Sequence, residues 1–112
     1  MAQDFERYGL NAVGASAVTV HTSNSDDAII SVRLANITTS TINADVFITS
    51  SVTGGSQNHY LIKNAPIVSG GSLELIDGGS KIVLESGDVV KAQSDTASSL
   101  SVWMSVVDAI ST

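Results

Sequence analysis

The sequence predicts an all-β domain: an antiparallel β-sandwich, jelly-roll-like, of about eight short strands. Three observations carry this reading. Apolar residues recur at every second position over several runs, and paired glycines with Ser/Asn/Asp clusters separate those runs. The apolar content is also aliphatic, since Phe, Tyr and Trp make up only 4% of 112 residues. Period two is what a strand with one buried face requires, whereas a helix needs apolar groups three and four apart.

The elements follow in chain order. Val18 to His21 is a short first run. AIISVRLANI places Ile30, Val32 and Leu34 on one face, opposite Ser31 and Arg33. TINADVFITS places Ile42, Ala44, Val46 and Ile48 opposite Asn43, Asp45 and Thr49. Shorter runs follow at Tyr60 to Lys63, Leu73 to Ile76, Lys81 to Leu84 and Val89 to Gln93. SLSVWMSVVDAI closes the series with Leu100, Val102, Met104 and Val106 opposite Ser99, Ser101, Trp103 and Ser105. Between the runs, Gly54-Gly55, Gly70-Gly71 and Gly78-Gly79 can take the positive φ of tight turns. The stretch GGSLELIDGGSKIVLESGD therefore reads as turns between strands. A phosphate cradle would need G-x-G-x-x-G or Gly-Lys-Ser/Thr spacing and a helix after it, and neither is present.

The length suits one domain over residues 1–112. MAQDFERYGLNAVG, residues 1–14, stands apart as a candidate N-terminal arm, because Phe5, Tyr8 and Leu10 have no obvious place in the strand pattern. The chain has no cysteine, so neither disulfides nor thiolate metal ligands are available. Eleven acids against five bases give a net charge of −6, which repels phosphate backbones and anionic lipids; neither nucleic acid nor membrane is expected as a partner. The start has no basic segment followed by an apolar one, so no signal peptide and no export are expected. Charged residues are few, at 14%, and the mean hydropathy is positive, which argues for a folded chain.

No constellation for chemistry emerges. His21 and His59 lie far apart, each at or beside a strand end, and read as exposed or locally bonded side chains. Asp26-Asp27, Glu74, Asp77, Glu85, Asp88 and Asp95 form no D-x-D-x-D-G loop and read as solvated turn carboxylates. The serines show no nucleophile elbow. Asn36-Ile37-Thr38 matches a glycosylation sequon without a secretion signal beside it. The expectation is no catalytic residue, no metal ligand and no cofactor. Phe47 and Trp103 are more informative, because alternation turns both away from the core face, where a large aromatic needs cover from a loop or another chain. Tyr60 with Asn58 and His59 offers a smaller sugar-stacking surface.

The ordered run YLIKNAPIVSGGSLELIDGGSKIVLESGDVVKAQSDTASSLSVWMSVVDAI resembles a group of small all-β virion structural proteins of tailed bacteriophages, particularly those of marine and cyanobacterial hosts. The earlier strands AIISVRLAN and ADVFIT extend the likeness to about residues 28–107, with Tyr60 to Ser94 its more specific part. The resemblance implies a non-enzymatic virion protein on the capsid surface (decoration or cement), at the neck or in the tail, with other virion proteins as partners. It carries no site residues with it.

A sandwich also has edge strands that invite pairing, and this sequence blunts them with only one proline, Pro66, and few lysines. The expectation is a homo-oligomer with Phe5, Tyr8, Leu10, Phe47 and Trp103 as candidate subunit contacts. The competing class is a carbohydrate-binding module of a receptor-binding virion structure, with at most a weak glycan ligand. It would be favoured by a shallow groove gathering Trp103, Tyr60 and His59.

Overall fold

The computed structural model describes residues 4–50, 57–76 and 82–108. They form nine strands: β1 (Asp4–Val13), β2 (Val18–Thr22), β3 (Asp27–Asn36), β4 (Ile42–Ser50), β5 (Gln57–Ile67), β6 (Ser72–Glu74), β7 (Ile82–Leu84), β8 (Val89–Ser94) and β9 (Leu100–Asp108). Among the described residues no helix is long and apolar enough to cross a membrane.

All pairings are antiparallel, and five of the seven are nested, while β3–β9 and β4–β8 join alternate layers of the nest. β4 pairs with β5, β3 with β6 and β7, β2 with β8, and β1 with β9, so the chain is one long hairpin folded around its β4–β5 tip. Rolling that hairpin lays its layers alternately into two sheets, ordered β1-β9-β3-β6 and β2-β8-β4-β5. This is a jelly roll. β6 and β7 pair with opposite halves of β3, at Arg33–Ala35 and Asp27–Ile29, and together fill one strand position.

The core lies between the sheets. From the first sheet it takes Ile29, Val32, Leu34, Leu100, Val102, Met104 and Val106, and from the second Ile42, Ala44, Val46, Ile48, Val90 and Ala92. Alternation predicted the inward faces of β4 and β9 residue for residue. On β3 it needs a correction: Ile29 is the buried residue and Ile30 only half-buried, because the register with β9 shifts between Ile29 and Ser31. A bulge of this kind places two residues opposite one and resets the face.

Residues 4–13, set apart above as an arm, form a strand of the chain's own sheet, with Phe5 opposite Val107 and Leu10 opposite Val102. β5 runs further than its apolar centre, and tolerates Pro66 because it lies at a sheet edge. A wide irregularity, with Asn64 at φ 54°, carries it past Asp45, whose Oδ1 accepts the Asn64 N–H at 2.6 Å. Of the glycine pairs, Gly70-Gly71 closes a turn in which the Gly71 N–H donates to the Val68 carbonyl at 2.9 Å, with Gly70 at φ 69°. That conformation is why glycine stands there. Gly54-Gly55 and Gly78-Gly79 lie outside the described residues.

Candidate functional site

The outer face of the first sheet carries the most distinctive surface. On β9, Val102 and Met104 point inward, so Trp103 between them points out and is 51% exposed. Its neighbours across the sheet are Gly9 of β1 and Arg33 of β3. The six-membered ring of the indole sits over Gly9, where an added Cβ would lie 3.0 Å from Cε3. Glycine thus lets the ring lie down on the sheet. Around it runs a shallow groove of about 510 Å³ lined by Arg7, Gly9, Leu10, Asn11, Ser101, Val102 and Trp103.

Arg33, on the far side of Trp103, is exposed and has its Nε 3.5 Å from Glu74 Oε1. Glu74 is held from several sides. Burial works to raise its pKa, but the Ile76 and Val32 N–H groups, the Ser31 hydroxyl and Arg33 outweigh that and keep the carboxyl below its usual range.

The other expected contacts are placed differently. Phe5 projects from the same outer face of β1 and is 82% exposed. Tyr8 and Leu10 face inward and pack against the core. Phe47 does point outward on β4, yet is only 4% exposed, because Tyr60 of β5 lies across it with ring centroids 5.0 Å apart. Lys63 Nζ in turn sits 4.5 Å from the Tyr60 centroid. Tyr60 and His59 therefore belong to the second sheet and Trp103 to the first; the fold does not bring the three into one groove.

A second cluster, buried, was not legible as such. His21 Nε2 lies 2.9 Å from Asp27 Oδ2, and the Ser23 hydroxyl donates to the same oxygen at 2.9 Å. Ser25 Oγ lies 3.1 Å from Asp27 Oδ1 and 2.8 Å from Asp108 Oδ1, tying β9 to the β2–β3 turn. Tyr8 stacks on the His21 ring at 4.1 Å between centroids. Asp27 is 0% exposed, which corrects its reading as a solvated turn carboxylate. Burial works to raise its pKa, but hydrogen bonds with Asp108, His21, Ser23 and Ser25 prevail and hold it at about 2. The sequence signal is a polar run at period two, His21, Ser23, Ser25 and Asp27, which the turn-like composition disguised.

Serine, histidine and aspartate thus meet, but both Ser23 and His21 address the carboxylate. A nucleophile would need its hydroxyl on the imidazole. The cluster fastens four strands at one end of the sandwich. Asn36, of the sequon, is likewise structural: its Nδ2 donates to the carbonyls of Ser40 and Ile67 at 2.7 and 2.8 Å, so glycosylation there, which replaces one of the two amide hydrogens, would break one of these bonds outright. No group of three or more metal-ligating side chains occurs among the described residues. Treatment with a chelator should leave the melting temperature unchanged, since nothing bound to the native state would be withdrawn; a loss that added calcium restores would contradict this.

No family model matches the chain, and no curated protein matches it in sequence. Solved structures do match in fold. A chain of the T13 particle of infectious bursal disease virus superposes with a TM-score of 0.55 at 9% identity over 95% of this chain. VP2 in the subviral particle of that virus gives 0.52 at 11% identity. This chain spans about a third of their lengths, 31% and 33%. A subunit of Bacillus endospore appendages, described as disulfide-linked pili, gives 0.50 at 20% identity and is covered over 86% of its length. At such identities the likeness is one of fold. The class they define is a fold, the two-sheet antiparallel β-sandwich.

Proposed function

We propose that this chain is a non-enzymatic structural subunit of a virus particle, that of a tailed bacteriophage, and that it assembles with copies of itself. The observation that carries the reading is the fold likeness to virus-particle chains over 95% of the chain. The sequence resemblance described above supplies the phage, with the capsid surface, neck or tail as its place. Assembly through disulfides, as in the endospore pili, is not open to these 112 residues, which contain no cysteine; non-covalent contacts must serve.

The contact proposed is the free edge of β1. Ten residues long and without proline, it has no strand on its outer side among the described residues, and N–H and C=O groups there can receive a neighbour. Phe5 adds the exposed apolar group beside that edge. Light scattering coupled to size exclusion tests this on the full chain and on Phe5→Glu. A closed oligomer at tens of micromolar, reduced to a folded monomer in the variant, is expected. A full-length chain that stays monomeric would overturn self-assembly, and an oligomer indifferent to Phe5→Glu would overturn the β1 contact. Electron microscopy of the parent virion would then locate the subunit.

A further inference from the structure

We propose that the groove around Trp103 binds an anionic polysaccharide, one carrying uronic acid residues, by stacking a pyranose on the indole and pairing its carboxylate with Arg7. This goes beyond assembly and does not depend on it. It also uses residues other than the Trp103, Tyr60 and His59 set, which the fold separates.

The first argument is the platform. An exposed indole normally loses side-chain freedom when it binds, but here the ring already lies against the Gly9 backbone. A preorganised aromatic plane is what the apolar C–H face of a sugar ring can cover at low entropic cost.

The second argument is charge. The chain has a net charge of −6 and only five basic residues, yet both of its arginines flank its one tryptophan on the same outer face. Arg33 is directly opposite Trp103, and Arg7, two pairs further along the β1–β9 ladder and so on the same face, lines the groove with it. Arg33 is shared with Glu74, whereas Arg7 makes no ion pair among the described residues. A planar guanidinium that is always charged matches a carboxylate in two-point geometry.

The third argument is polarity. Apart from the indole and Arg7, the side chains that line the groove without facing the core are those of Asn11 and Ser101, since Leu10 and Val102 turn inward. Ser105 adds a further hydroxyl on the same face, opposite Arg7. A protein–protein contact of standard size buries an apolar centre within about 800 Å² on each side, and one indole among serines, arginines and an asparagine does not supply one. Hydroxyl-rich, anionic and ring-shaped describes the ligand better than a second copy.

The test uses the single tryptophan as its own reporter. The full chain is titrated with tetragalacturonate and, in parallel, with an uncharged tetrasaccharide, at low salt and at the lowest protein concentration the emission allows. Expected is a saturable change in tryptophan emission with the uronate, at least about tenfold tighter than with the neutral sugar and weakened by added salt. Arg7→Gln, an exposed position, should weaken uronate binding about tenfold with no change in melting temperature or oligomeric state. Equal responses to both sugars, no response to the uronate, or unchanged affinity in Arg7→Gln would each overturn the proposal. So would an emission shift that follows protein concentration without sugar, since the indole would then be covered by a second copy.

Discussion

Val102→Asp should unfold the protein or nearly so, while Ser101→Asp, one residue earlier, should cost less than about 1 kcal/mol. Val102 is among the fully enclosed residues of β9, with Leu10 on one side and Leu34 on the other. A carboxylate there has no partner and no water, and the loss of several kcal/mol is a large share of the roughly 5–15 kcal/mol that holds a domain together. Ser101 points to the opposite face, into the groove around Trp103, where a carboxylate stays hydrated. Thermal or urea unfolding of both variants checks this. Equal losses would mean that the two faces of β9 are interchanged.

Removing the Asp27 carboxylate should come next in size, at about 3–5 kcal/mol for Asp27→Ala, because it strands the partners that it holds in a water-free setting. His21 and Ser23 would each lose a bond to Oδ2, and Ser25 its bond to Oδ1. The same group gives the fold an acid limit. Its folded pKa, about 2, lies below the value near 4 of an unfolded aspartate, so the unfolded chain takes up the proton first. The contribution is complete above about pH 4 and disappears as the pH falls from there toward about 2. Acid titration followed by circular dichroism should show wild type losing stability over that window, and Asp27→Asn, already weaker at neutral pH, losing less within it. Parallel curves would assign the acid sensitivity to other carboxylates.

How much could be read in advance depended on whether a residue's surroundings were local. β4 and β9 were legible because Ala44, Val46 and Ile48, like Val102, Met104 and Val106, alternate without interruption. β1 was not. Its inward positions are Glu6, Tyr8 and Leu10 and its outward ones Phe5, Arg7 and Gly9, so each face mixes polar with apolar, and only the pairing with β9 sorts them. The same pairing sets Arg7 beside Trp103, so half of the groove was visible and half was not. Phe47 was correctly turned outward, but its cover depends on the irregularity in β5 that brings Tyr60 opposite it. Asp27 looked like a turn residue, and its burial follows from a partner network reaching β9, with Ser25 and Asp108 83 positions apart.

The strand order has a consequence in time. β9 follows the other eight strands in the chain, yet lies between β1 and β3 in the sheet. During synthesis β1 and β3 leave the ribosome with the place between them empty, and local pairing such as β4 with β5 must come first. The sheet is completed only when β9 arrives, a pairing of distant segments that belongs to the slow end of folding. Until then the chain has neither a seated β1 nor an indole resting on Gly9. An incomplete chain therefore cannot present the β1 edge proposed above as the contact between copies, and translation would hold that assembly back until each subunit is whole.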